Sequence, residues 1–132
     1  MCPAASAGGE MLAAELITDA SGTVICAVRG EVDMSNAAQL RGYLDAAFDL
    51  GPDVVVDLAE LTFLASAGVG VLLEPQARGR RLAVVTGPAT ETVLRICGLS
   101  AVVPCLPSRA LAVRELARSV VCRDDGASPS AG

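Results

Sequence analysis

No stretch of this chain constrains its fold more than Val54-Val55-Val56-Asp57-Leu58, continued by residues 59–64 and then by Ser66-Ala67-Gly68-Val69-Gly70-Val71-Leu72-Leu73. It reads as a buried strand, a short crossover and a helix whose first turn is almost entirely small residues. The alternation continues downstream. The helix over 66–74 is stopped at Pro75, which leaves it short, and a strand follows over 82–86. Pro88 opens a further helix through Cys97 with Gly98 as its breaker, residues 101–105 make a short strand, and Ser108 caps a last helix. That last helix carries Val113, Leu116, Ala117 and Val120 on its apolar face and Arg114 and Arg118 on its wet one. Strands that alternate with helices pair in parallel through right-handed crossovers.

Upstream, strand-like runs over 11–18 and 23–29 flank Asp19-Ala20-Ser21-Gly22 and predict a hairpin, which adds an antiparallel edge. A helix after Ser35, its expected N-cap, bears Leu40, Tyr43, Leu44, Ala47 and Phe48 on one stripe and ends at Gly51-Pro52. The expected fold is α/β: a mixed β-sheet of about four to five strands with an N-terminal hairpin, and about four helices packed mainly on one side. Residues 11–122 form one domain, and residues 1–10 and 123–132, rich in Ala, Gly, Ser and Pro, read as disordered tails.

Composition narrows the chemistry. The chain of 132 residues has no His, and all 10 of its basic residues are Arg. Without His or Lys, and with no Cys set beside a base, nucleophilic and general-base constellations are hard to assemble, so the chain is not read as an enzyme. Asp57 at the end of a strand invites comparison with a receiver-domain phosphoacceptor, but that chemistry needs a Lys; a strand-end turn is the simpler role. A net charge of −5 argues against nucleic acid and anionic membranes and suits a basic protein partner. The apolar run over 61–73 is too short to cross a bilayer, which takes about 20 residues. Residues 1–10 lack a cationic start and an apolar core, so no secretory signal is read and the cytoplasm is the expected compartment. The 5 cysteines show no CxxC spacing, so neither a metal nor another cofactor is expected. Cys97 and Cys105 stand at element ends that could meet at one end of the sheet, which makes them a candidate redox pair.

A helix that begins with Ser, Ala and Gly leaves its free N–H groups and the positive end of its dipole open to whatever docks there. Each glycine costs roughly 1 kcal/mol relative to alanine, so Gly68 and Gly70 need a reason: close packing on the sheet, access for a partner, or both. Gly68-Val69-Gly70 lacks the third glycine and acidic residue of a dinucleotide loop. Ser66 fits an N-cap or a phosphorylation acceptor. Asp33 fits either a contact to a partner's Arg or a turn that bonds its own backbone.

Phe63-Leu64-Ala65-Ser66-Ala67-Gly68-Val69-Gly70-Val71-Leu72-Leu73 resembles the signature loop and helix of STAS domains, the family of anti-sigma factor antagonists. Gly30-Glu31-Val32-Asp33, followed by the helix-like residues 35–50, resembles the family's other hallmark segment at the expected distance upstream. The likeness extends over residues 11–120. It implies the STAS fold and a protein that binds an anti-sigma factor of serine-kinase type and so releases a sigma factor. Scaffolding, or nucleotide binding within a larger signalling or transport assembly, is the alternative the family also allows. In antagonists of this family the loop before the second helix reads Asp-Ser-Ser-Gly or Asp-Ser-Thr-Gly, and its second hydroxyl residue is phosphorylated by the partner. Here Ala65-Ser66-Ala67-Gly68 stands in that place, so the phospho-acceptor position is Ala67, which has no oxygen to modify. The expected contact residues are Asp33, Ser35, Ser66, Ala67, Gly68 and Val69.

Overall fold

The computed structural model describes residues 12–127, with side-chain surroundings through residue 118. The hairpin forms: β1 (Ala13–Thr18) and β2 (Val24–Val32) pair antiparallel, from Ala13 opposite Arg29 to Thr18 opposite Val24. Asp19 closes the turn, its Oδ1 accepting the Ser21 hydroxyl (2.6 Å) and the N–H groups of Ser21 (2.9 Å) and Thr23 (3.2 Å). These bonds, the Ser21 hydroxyl foremost, hold the Asp19 carboxyl below its ordinary range.

Then follow α1 (Ala37–Leu50), β3 (Asp53–Leu64), α2 (Ser66–Ala77), β4 (Arg81–Val85), α3 (Glu91–Ile96), a 3-10 turn over Leu99–Ala101, β5 (Cys105–Leu106) and α4 (Arg109–Ala127). The sheet order is β1-β2-β3-β4-β5, and β2 through β5 pair in parallel. Each crossover steps to the next strand in the same direction, so connections of one hand carry α1, α2 and α3 to one face. There Val24, Cys26, Val28, Val54, Val56 and Leu58 pack against Leu40, Leu44, Ala47, Val69 and Leu72. Side chains alternate along a strand, so Ile25, Val55, Ala83 and Val85 point the other way, where Ala112 and Leu116 of α4 cover them. Asp57 Oδ2 to Arg109 Nε (2.5 Å), Asp53 Oδ1 to Arg81 Nε (2.6 Å), and a bond from Arg81 to the Leu116 carbonyl tie α4 down. On the first face, Arg41 of α1 grips Glu74 of α2 through both carboxylate oxygens (2.8 and 2.7 Å).

Several boundaries depart from the sequence reading. The residues expected to cross over, 59–64, are part of β3. Register shifts against β2, between Ala27 and Arg29 and between Gly30 and Glu31, keep the long strand paired as far as Leu64 opposite Val32. Asp57 is therefore not at a strand end as expected but inside β3, where at the first shift its Oδ1 accepts the Ala59 N–H (2.9 Å). Pro75 does not stop α2, which runs on to Ala77 and is not short. A proline removes one backbone bond but supplies no end. Gly79 supplies it, at φ +75°, with the Gly79 N–H on the Gln76 carbonyl (3.0 Å) and the Arg80 N–H on the Pro75 carbonyl (2.9 Å).

Pro88 lies in a turn, and α3 starts only at Glu91, after the buried Thr90, whose Oγ1 accepts the Gly87 N–H (3.0 Å). The strand expected over 101–105 shrinks to Cys105–Leu106, because Leu99 and Val103 are drawn into the main core. Ser108 caps α4 as expected, its hydroxyl accepting the Leu111 N–H (3.2 Å). Ala112 replaces Ala117 on that helix's buried face, and the side chain of Val120 lies outside those described. The helix passes Cys122, after which a tail was expected to begin; residues 1–11 and 128–132, among them the expected N-terminal tail and the first residue of the expected first strand, lie outside the described residues. No helix among the described residues is long and apolar enough to cross a membrane.

Gly68 and Gly70 separate cleanly. A Cβ on Gly68 would sit 2.6 Å from both Leu64 Cδ1 and Val32 Cγ1, whereas a Cβ on Gly70 meets nothing within 4 Å. Gly68→Ala is therefore expected to cost about 1–3 kcal/mol of stability by overpacking. Gly70→Ala should add about 0.5–1 kcal/mol by relieving helix entropy. Urea unfolding of the two variants measures both, and the opposite ordering would refute the packing account.

Candidate functional site at the carboxyl ends of β2 and β3

The carboxyl ends of parallel strands are where an α/β sheet presents its loops and helix N-termini. Here β2 and β3 end side by side, joined by a bond from the Ala65 N–H to the Val32 carbonyl (2.8 Å). Ala65, extended at φ −84° and ψ 165°, flanks α2, and no side chain caps the helix. Ser66 is thus the first helical residue and not the N-cap expected of it, and its side chain is exposed. The Ala65 carbonyl takes the Gly68 N–H (2.9 Å) and the Val69 N–H (3.3 Å). The N–H groups of Ser66 and Ala67 find no acceptor among the described residues and stand at the positive end of the helix dipole. No acidic residue lies in the first turn to neutralise it. Gly68 and Val69, two of the expected contact residues, lie beneath this surface: Gly68 is buried and Val69 is 2% exposed in the main core. They shape the rim from below. Ala67 is half-buried against the same core.

The neighbouring loop is held by its own polar side chains. Ser35 does not cap α1; the flanking residue is Asn36, again without a side-chain cap bond. Instead the Ser35 N–H (2.9 Å) and hydroxyl (2.6 Å) both donate to Asp33 Oδ1. Asn36 closes the other side, its Oδ1 accepting the Asp33 N–H (2.9 Å) and its Nδ2 donating to the Glu31 carbonyl (2.9 Å). These bonds make the turn that was one of the two readings of Asp33, and they use only its Oδ1; its Oδ2 has no partner among the described residues. No cation among the described residues pairs with it, and the Ser35 hydroxyl, followed by the Ser35 N–H, holds its carboxyl below the ordinary range. Asp33 and Ser35 are thus brought beside the start of α2 by the Ala65–Val32 bond. The sequence reading passed over Asn36 and the exposed Met34; a turn-forming Asn next to Asp33 and Ser35 was the signal available.

The cysteine pair gains no support from the geometry. Cys97 is exposed, Cys105 is half-buried, and both are free thiols. Burial pushes the Cys105 thiol up, away from the thiolate that disulfide exchange requires. On the α4 face, Glu15, Arg29, Glu60, Asp57 and Arg109 line a shallow charged indentation in which Asp57 and Arg109 satisfy each other. Among the described residues no cluster of His, Cys, Asp or Glu has the geometry to hold a metal ion.

Comparison with known proteins converges on one family. Residues 17–104 match the family model described as "Mlab, STAS domain". A candidate anti-sigma factor antagonist of Bordetella bronchiseptica, BtrV, is 33% identical over 94 residues, covering 67% of this chain and 81% of that protein. The crystal structure of an anti-sigma factor antagonist from Mycobacterium paratuberculosis aligns with a TM-score of 0.72 at 28% identity, over 80% of this chain and 94% of that one. SpoIIAA of Bacillus, an anti-sigma factor antagonist in its unphosphorylated form, shares the fold with a TM-score of 0.61 at 22% identity, over 79% of this chain and 96% of that one.

The thiols give a direct check on burial. Cys26, walled into the main core, has its thiol pushed up to about 11 from an ordinary 9.0 by burial. Its contribution to stability is complete below pH 9.0 and is lost as pH rises toward about 11, because only the unfolded thiol ionises freely there. The loss is on the order of 3 kcal/mol. Cys26→Ala should flatten that alkaline limb in pH-dependent unfolding. In the native protein near pH 8, alkylation followed by peptide mass mapping should label Cys97 and spare Cys26; equal labelling would contradict the packing.

Proposed function

The chain belongs to the STAS-domain family, and we propose that it is an anti-sigma factor antagonist, which works by occupying an anti-sigma factor and so freeing a sigma factor for transcription. The partner is an anti-sigma factor of the serine-kinase type, met in the cytoplasm, and the chain acts by binding and not by catalysis. What carries this reading is the rim itself: an uncapped, uncharged helix start beside the ordered loop of Asp33, Ser35 and Asn36. Open N–H groups at a helix end invite a hydrogen-bonding partner, and the absence of a charged side chain in the first turn keeps the cost of desolvation low.

The same rim bears on regulation. A phosphate in the first turn of α2 would bring about −1.5 to −2 charges, which the helix dipole tolerates and a docked partner does not. Residue 67 is alanine and cannot receive one. We read the protein as permanently competent to bind, or as switched by a means other than phosphate at residue 67. Scaffolding in a larger assembly is the second reading, and Ala67 is the residue that favours it.

Affinity capture from lysate of the source organism, with the protein immobilised, distinguishes the two. Recovery of an ATPase-type anti-sigma factor supports antagonism; recovery of transporter or signalling-complex subunits in its place supports scaffolding. Incubation with the recovered kinase and ATP is expected to leave residues 66 and 67 unmodified, and stoichiometric phosphate on Ser66 would overturn the unswitched reading. Ala67→Glu should weaken partner binding by about tenfold or more. It should leave the fold intact and change its stability by less than about 1 kcal/mol, because an acidic residue suits a helix N-terminus and offsets the cost of a larger side chain at the half-buried position. Thermal unfolding and titration calorimetry together test that binding falls while the fold stays.

A further inference from the structure

Met34 is 82% exposed, the most exposed large apolar side chain among the described residues. A single apolar residue at a surface is ordinary. Its setting is not. The loop that carries it is fixed on both sides, by Ser35 donating to Asp33 Oδ1 and by Asn36 holding the Asp33 N–H and the Glu31 carbonyl. The backbone therefore holds Met34 outward before any partner arrives, which lowers the ordering cost of association. On one side stands the ionised Asp33, on the other the uncharged start of α2. A thioether on three rotatable bonds fills an irregular socket well.

We infer that Met34 is the apolar anchor of the docking surface, and that the partner offers a hydrophobic socket bordered by a cation that receives the Asp33 carboxylate. Asn36 is the positioning residue that keeps the anchor raised. This rests on the rim being the anti-sigma factor site. The charge pattern selects a different protein over a second copy of this chain. Residues 30–36 and 62–68 contain Glu31 and Asp33 and no Arg, so two such rims face to face would bring together carboxylates with no cation between them.

The test uses the full chain and the anti-sigma factor recovered by the wild type. Met34→Gln is expected to weaken binding about 10- to 100-fold, mainly through faster dissociation. Met34→Leu should stay within about threefold of wild type, since it keeps volume and hydrophobicity. Leu50→Gln serves as the control: Leu50 is 60% exposed and ends the 14-residue α1, about 20 Å along the helix from the rim. It should bind as wild type does. Asp33→Asn should reduce the dependence of affinity on salt. Met34 is too exposed for its substitution to unfold the chain, and circular dichroism checks this. If Met34→Gln binds within about twofold of wild type, the anchor is refuted while the rim stands. If the wild type binds no anti-sigma factor, the rim reading falls and the anchor with it.

Discussion

How closely α2 approaches the ends of β2 and β3 is set by the side chain that residue 68 lacks. Val32 Cγ1 and Leu64 Cδ1 occupy the space a Cβ would need, and the first turn of α2 settles directly on them. That seat places Ala65 within reach of the Val32 carbonyl, and the bond between them fixes the loop after β2 relative to the helix after β3. Move α2 outward by the width of a methyl group and both halves of the rim separate. The glycine-rich helix start therefore answers two different demands, which its sequence alone leaves joined. Gly68 is a packing residue. Gly70, exposed and with open space around it, is not.

The order of elements was legible because it follows from periodicity: the hairpin, the apolar stripe of Leu40, Leu44 and Ala47, the valine-rich central strand and the Ser108 cap are all found where their patterns place them. Boundaries were less legible, and the reasons are local. Pro75 looks like a stop, but a helix ends where its last carbonyls find donors, and Gly79 with its positive φ provides the geometry for that. Residues 59–63 alternate apolar and polar, a strand pattern that the crossover reading overlooked because the helix follows so closely. The register shifts in β2 restore pairing by displacing one strand against the other, and no one-strand pattern can show that. Pro88 fits a helix start in isolation, yet Thr90 engages Gly87 and delays the helix.

At the candidate site the sequence pointed to the segments and not to the bonds within them. Ser35 and Ser66 both have the chemistry of an N-cap, and neither acts as one. The Ser35 hydroxyl is taken by Asp33, and the Ser66 side chain lies one position too far into the helix to reach back over its first turn. Of the six residues expected to meet a partner, Gly68 and Val69 are placed in the core by the helical rotation that exposes Ser66. Asn36 and Met34 drew no notice because their roles depend on a three-dimensional loop: one is a clamp, the other the side chain it leaves outside. Family resemblance, carried by residues 30–33 and 63–73, located the rim more directly than composition or charge did.

The sheet also divides the molecule into two unequal parts. Most of the buried side chains lie between it and α1, α2 and α3, whereas α4 rests on the smaller group formed by Ile25, Val55, Ala83, Val85, Ala112 and Leu116. Ion pairs from Asp53 and Asp57 supplement that group, and the family match stops at residue 104, before α4 begins. Cooperative units of different depth open at different free energies. The terminal helix is thus a layer that can peel from the back of the sheet while the rim on the opposite side of the fold keeps its shape. Its amides would exchange with solvent earlier than those of β3, and the protein would breathe from its tail end inward.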